Sequence, residues 1–377
     1  MPMKLSLSGL SQQQFLEQYW HKKPLLIRNA FSDFELPLSP DELAGMACEE
    51  MVESRIVLHQ PEQDTWQLKQ GPFEESIFAE LPEKNWSLLV QAVDHWVPEA
   101  AELLEQFNFI PRWRIDDLMV SYSVVGGGVG PHYDNYDVFL IQGSGSRRWE
   151  FGGIYGEDSP RKPNMPVMIL PEWKAEQSVV LQPGDMLYLP PGVGHSGVSL
   201  EDGSTTWSIG FRAPSVNEIL HGFTDFIGEQ LKSEQRYADA DLTLQTNSGQ
   251  ITDEALDRVQ KIILDQVNDR EKLAQWFGEF VTEPKYSEIT AESDDQSCGS
   301  GEVVRRNEQV RIAYTENTAT LNLFINGELK IIQADSQSAN FVKNLASQIE
   351  LTLPQSIDSD LQQLVDQLLK SGLIYRI

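Results

Sequence analysis

GPHYDNYDVFLIQGSGSRRWEF, residues 130–151, sets His132 and Asp134 two positions apart and places an arginine pair, Arg147 and Arg148, shortly after them. The stretch reads as two β-strands about a Gly-Ser-Gly-Ser turn. Side chains alternate along a strand, so His132 and Asp134 face one way while Tyr133 faces the other. On the second strand Arg147, Trp149 and Phe151 share a face, and Arg148 and Glu150 share the opposite one. The two aromatics mark the first face as the interior of a barrel. A guanidinium pointing inward is costly unless an anion meets it, and a carboxylate is its natural bidentate partner. The hairpin is therefore expected to hold a metal on one strand and the far end of a chelating dicarboxylate on the neighbouring strand.

A third ligand must come from a short supply of six histidines. His195 lies in LQPGDMLYLPPGVGHSG, where Pro183-Gly184-Asp185 makes a turn, Met186 to Leu189 a strand, and Pro190-Pro191-Gly192 a second turn. Folding residues 118–211 as an antiparallel barrel brings the strand that holds His195 beside His132 and Asp134. The surrounding texture supports this, since residues 112–213 are short β-rich runs separated by Gly and Pro. Two imidazoles and one carboxylate on one face of a metal, with positions left open, is the arrangement of non-haem Fe(II) oxygenases; the vacant positions admit an oxidisable co-substrate and dioxygen.

Around this core the chain is mixed. Residues 11–31 read as an amphipathic helix and a short strand at Pro24 to Arg28, and the spacing of Trp86, Leu89, Val90 and Val93 predicts a helix. After Ala213-Pro214 three helices are expected, the first capped by Ser215 and the second starting at Thr252 or Asp253. The third contains Leu273, Trp276, Phe277 and Phe280, and the aromatics of this module exceed what three short helices bury alone. Residues 287–302 are polar and acidic, as in a linker. Beyond them Asn326-Gly327 signals a hairpin, followed by helical patterns near Phe341 to Ile349 and Leu361 to Leu369. The domain reading is 1–213 oxygenase, 214–286 helical module, 287–304 linker and 305–377 C-terminal domain, an α+β molecule.

The chain has 377 residues with 29 Lys plus Arg against 57 Asp plus Glu, a formal net charge of −28. Such a surface repels phosphate backbones and attracts basic polypeptides, so direct nucleic-acid binding is not expected. No run approaches the roughly 18 apolar residues of a membrane span, and the first residues lack the apolar region of a secretory signal. The two cysteines, Cys48 and Cys298, form neither a disulfide framework nor a zinc module. A cytoplasmic protein is expected.

These residues resemble the JmjC-type 2-oxoglutarate oxygenases, and more closely the bacterial ribosomal oxygenases. The resemblance is carried by FLEQYWHKKPLLIRNA, by RIDDLMVSYSVVGGGVGPHYDNYDVFLIQGSGSRRW, by LQPGDMLYLPPGVGHSG with SIGFRAPS, and by RYADADL. It implies a cupin-like double-stranded β-helix, a helical dimerisation module giving a homodimer, and a C-terminal winged helix. It implies that His132, Asp134 and His195 hold Fe(II), that Arg147 anchors the distal carboxylate of 2-oxoglutarate, and that Ser121 helps to bind the same acid. It also implies that the substrate is a basic large-subunit ribosomal protein, L sixteen, hydroxylated at an arginine Cβ with dioxygen as oxidant. Asp116, Asp117 or Asp137 is expected to pair with the arginine, and Tyr133, at a position that can be aliphatic in relatives, to shape the peptide groove. N-methyl demethylation, histidine hydroxylation and a non-catalytic cupin-like binding module stand as alternatives.

Overall fold

Short apolar runs between Gly and Pro turns form the strands of the N-terminal unit, Met1–Ala213, to which the pieces Asn307–Gln309 and Ser347–Ile349 also belong. The computed structural model describes residues 4–32, 34, 36–286 and 296–377. In chain order the strands are β1 (Leu25–Ile27), β2 (Ser54–Gln60), β3 (Thr65–Gln70), β4 (Trp86–Val90), β5 (Ile115–Ser123) and β6 (Val138–Gln142). They continue with β7 (Arg147–Ile154), β8 (Gln177–Leu181), β9 (Met186–Leu189), β10 (Val193–Ser199) and β11 (Ser204–Phe211). A larger antiparallel sheet has the order β1-β9-β6-β11-β5-β4-β2-β3, and a smaller one the order β10-β7-β8.

The two sheets face each other across Val138, Leu140, Trp149, Phe151, Leu181, Leu187, Leu189 and Val193. The back of the larger sheet, through Phe139, Ile141, Tyr188, Trp207 and Phe211, packs against the N-terminal segment around Phe15. β6 is thus buried on both faces, which explains the apolar run Val138 to Ile141. The helix Gln12–Gln18 forms as expected, with Ser11 and Gln14 making a reciprocal capping box.

Two expectations are corrected here. Residues 86–90 form β4, every residue of which is buried, and not a helix. A strand apolar on both faces matches helical and strand periodicities alike, so spacing alone misassigns it. The Gly-Ser-Gly-Ser segment is not a hairpin turn either. β6 pairs with β9 and β11, whereas β7 pairs with β10 and β8, so the chain crosses from one sheet to the other at this corner. Gly145, with φ 59°, makes the sharp corner, and the Gly143 N–H donates to the Thr205 carbonyl at 2.9 Å.

In the second unit the helices Val216–Gln230, Asp253–Val267 and Arg270–Thr282 have the N-caps Ser215, Thr252 and Asp269. Phe223, Ile227 and Trp276 form a small core, with Phe226, Phe277 and Phe280 packed on it. The aromatics are therefore largely absorbed. The apolar residues exposed on these helices are instead Leu256, Val259, Ile262, Ile263, Leu264 and Val267 on the middle one, with Val216 and Leu220 on the first. The third helix joins the strands that follow it: a Cβ at Gly278 would meet the Phe324 ring, and the Gly327 N–H donates to the Thr282 hydroxyl at 3.1 Å. The helical segment and the C-terminal domain form one unit. Of the expected linker, 287–295 lies outside the described residues. The strands Thr320–Ile325 and Glu328–Gln333 pair around Asn326-Gly327, both at positive φ, and the helices Gln337–Ser347 and Ser359–Lys370 fall where their patterns placed them.

Candidate active site

Backbone pairing brings the two histidines together. His132 and His195 form an isolated antiparallel bridge, exchanging N–H···O bonds of 2.9 and 2.7 Å. The Gly192 N–H then donates to the Asp134 carbonyl at 2.7 Å, so the Pro-Pro-Gly turn fixes the aspartate as well. His132 and Asp134 lie on an extended segment ahead of β6, not within a strand as expected. One potential ligand atom from each of His132, Asp134 and His195 lies within 4.8 Å of the others.

The orientation of the rings suits a metal. His132 Nδ1 lies 2.9 Å from the Gly130 carbonyl, and His195 Nδ1 lies 3.0 Å from the Val193 carbonyl. A carbonyl only accepts, so each Nδ1 carries the proton and each Nε2 keeps its lone pair. His195 Nε2 points at Asp134 Oδ2, 3.5 Å away. Burial, reinforced by neighbouring His132 and opposed by Asp134, pushes His195 down to about 4. At neutral pH its imidazole is in the uncharged form that ligates metal.

Arg147 comes from the smaller sheet. Its register, opposite Ser199, puts it on the inner face with Trp149 opposite Gly197 and Phe151 opposite His195. Arg148 is exposed, as the alternation requires. The Arg147 residue is 5% exposed, and one terminal nitrogen donates to the Ser123 hydroxyl. Its Nε has no partner, and among the described residues no carboxylate pairs with it. Burial lowers its pKa to about 10, so the group stays cationic at neutral pH. A buried cation without an anion is costly, and it fits a ligand carboxylate.

The wall facing Arg147 is lined with hydroxyls. Ser123 lies 2.7 Å from Ser87 through their hydroxyl oxygens, and Ser121 pairs across the sheet with Thr206, whose hydroxyl is buried and unpartnered. Ser123, not Ser121, touches Arg147, although both are buried and share the inner face. Ser87 and Thr206 carry no signal in the sequence, and only the strand register reveals them.

The three aspartates expected near the substrate separate. Asp117 is buried on the inner face, and its Oδ2 accepts from Gln91 Nε2 at 2.7 Å and from the Ala92 N–H at 3.0 Å. Its Oδ1 lies 4.0 Å from where a Cβ on Gly210 would stand, with Tyr136 also beside that glycine. Asp116 alternates to the other face of β5. Asp137 is 0% exposed and shares the back-face side of β6 with Phe139 and Ile141, so it does not meet a substrate in the barrel. Tyr133 is likewise buried and stacks with Tyr155, which removes it from a peptide groove. Tyr136, 42% exposed and among Asp134, Asp117 and Arg55, is the aromatic at the mouth that sequence reasoning overlooked.

Comparison with known proteins agrees with this geometry. Residues 102–219 match the JmjC domain family, and residues 265–375 match the ROXA-like winged helix family. The chain is 38% identical over 354 residues to the ribosomal protein uL16 3-hydroxylase of Escherichia coli, covering 91% of this chain and 90% of that protein. The X-ray structure of E. coli YcfD superposes with a TM-score of 0.88 at 36% identity over the whole of both chains. A structure of YcfD, described as a ribosomal oxygenase, in complex with cobalt and 2-oxoglutarate superposes with a TM-score of 0.85 at 35% identity over 99% of both chains. The chain belongs to the JmjC-domain ribosomal oxygenases.

Proposed function

We propose that this protein is an Fe(II)- and 2-oxoglutarate-dependent oxygenase that hydroxylates an arginine side chain, at Cβ, of the basic large-subunit ribosomal protein L sixteen. The single observation that carries the reading is the buried, carboxylate-free guanidinium of Arg147 inside the barrel that also holds the His132, Asp134 and His195 cluster. Within this reading His132 and His195, through Nε2, and Asp134 hold the metal. Arg147 binds the distal carboxylate of 2-oxoglutarate, and Ser121, Ser123 and Thr206 present hydroxyls to the same acid.

Bound iron would supply the activation of dioxygen needed to oxidise an unreactive C–H bond. The balanced change is 2-oxoglutarate, dioxygen and the C–H substrate giving succinate, carbon dioxide and the alcohol. The protein's part is to fix the co-substrate and exclude water from the wall lined by Trp149 and Phe151. Of the three aspartates, Asp117 is the one this reading assigns to the substrate guanidinium, because it is buried on the inner face of the barrel beside Gly210 and Tyr136. Tyr136 lies against the same subsite.

The protein acts in the cytoplasm as a homodimer. The exposed residues Leu256, Val259, Ile262, Ile263 and Val267 supply an apolar face of the kind that a two-fold interface buries. Among the described residues no helix is long and apolar enough to cross a membrane. With a net charge of −28 the surface suits a basic polypeptide and not a phosphate backbone.

The test is mass spectrometry of a peptide spanning the ribosomal arginine after incubation with Fe(II), 2-oxoglutarate and air. It should gain one oxygen atom, and the peptide with alanine at that arginine should gain none. Oxidation of a histidine, or loss of a methyl group from a methylated peptide, would contradict the substrate assignment.

A further inference from the structure

We propose that Asp137 is a positioning residue: its buried carboxylate, hydrogen-bonded by Tyr188 and in ion-pair contact with His21, fixes the chain segment that carries Asp134 and thereby sets the geometry of the metal site. The inference rests on the metal reading of His132, Asp134 and His195 given above, and extends it to residues outside the barrel.

The segment between the ligands and β6 has an unusual task. At His132 and Asp134 it is bonded to the strand β10 of the smaller sheet and the turn before it. From Val138 onward it belongs to the larger sheet. The crossing spans Asn135, Tyr136 and Asp137, and the first two are exposed. Asp137 is thus the crossing's buried side chain, and its own carbonyl accepts the Phe211 N–H at 3.0 Å.

Its carboxylate is approached from both sides. Tyr188 on β9 donates its hydroxyl to Oδ1, while His21 Nε2 lies at ion-pair distance from Oδ2, 2.9 Å, with Oδ2 itself accepting no hydrogen bond. The backbone N–H of His21 donates to the Tyr188 oxygen at 2.8 Å, so one residue of the N-terminal segment braces both contacts. His21 sits at φ 56°, a left-handed turn that aims its ring back at the sheet. Arg114 stands 3.6 Å from Oδ2 and is itself tied to the Arg212 carbonyl at 2.6 Å.

The surroundings are otherwise apolar and aromatic, with Phe139, Tyr188, Phe211 and Trp20 packed together. A carboxylate there forfeits much of its solvation, a cost that an apolar residue would avoid. Registry is the best-attested return for such a group. Here the element being registered ends, three residues earlier, in a metal ligand. The YWHKKP segment of the sequence thus acts on the site from the far side of the sheet.

The experiment is Co(II) titration of the metal-free full chain, followed by the visible absorption of the bound ion, for the wild type and for Asp137→Asn, Tyr188→Phe and His21→Ala. Residues that hydrogen-bond a metal ligand typically change metal binding about 10–100-fold when lost; Asp137 touches no ligand directly, so Asp137→Asn should weaken Co(II) binding roughly 10-fold, the low end of that range, with an altered absorption band. Tyr188→Phe and His21→Ala should each weaken it less. Added to Asp137→Asn, neither should change it further, because both act through one carboxylate. If Asp137→Asn does not fold, the two milder variants decide the matter in the same way. A lowered melting temperature with unchanged Co(II) affinity and spectrum would overturn the proposal and leave the network purely structural. Failure of the wild type to bind Co(II) would instead overturn the metal reading, and this inference with it.

Discussion

At the scale of single residues, Arg147 and Arg148 form a natural pair of opposites. The alternation of RRWEF makes Arg147 internal and Arg148 external, and the register opposite β10 has that parity. Arg147→Ala should raise the 2-oxoglutarate requirement by about 30-fold to several thousand-fold, from the roughly 2–5 kcal/mol lost with a buried charged partner. Arg148→Ala should change it little. Steady-state kinetics with varied 2-oxoglutarate checks both, and a sensitive Arg148 would place the wrong arginine in the barrel. His132→Ala and Asp134→Ala should abolish turnover while unfolding stays cooperative. Residue patterns do not reach tertiary direction. Asp137 and Tyr133 look like active-site neighbours along the chain, yet both side chains turn away from the cavity. Ser121 and Ser123 share one strand and one face, so the choice between them depends on the level along β5 that Arg147 reaches, which no local pattern encodes.

At the scale of elements, most strands between residues 115 and 211 were legible because Gly and Pro punctuate them. Their partners were not. A Gly-Ser-Gly-Ser segment between two apolar runs has the composition of a hairpin, but here it turns a corner between sheets. Local composition specifies that the chain bends, and the partner strand is chosen by contacts with β9, β10 and β11 far along the sequence. The close approach of β10 to β7 gives a test of that pairing. A Cβ at Gly197 would come within 2.7 Å of the Trp149 ring, between Arg147 and His195. Gly197→Ala should therefore destabilise the fold by about 1–3 kcal/mol, the usual range for overpacking, as measured by denaturant unfolding. Unchanged stability would show that Trp149 does not fill this space.

At the scale of the whole molecule, the charge and the uncovered helix face both concern partners. If the net charge of −28 assists capture of a basic substrate, the apparent affinity should fall as salt rises, since exposed charges are screened over about 10 Å at 0.1 M. If the stripe from Leu256 to Val267 is covered by a second copy, sedimentation at micromolar concentration should give about twice the chain mass of 42.6 kDa. A monomer there would leave the stripe without its proposed occupant. The central claim is that the barrel couples oxidation of 2-oxoglutarate to hydroxylation of an arginine, and isotope-labelled dioxygen tests it most directly. With Fe(II), 2-oxoglutarate and the ribosomal peptide, mass spectrometry should find one labelled oxygen on the arginine Cβ and one in succinate. Oxygen drawn from water, or succinate formed without any labelled peptide, would contradict the account.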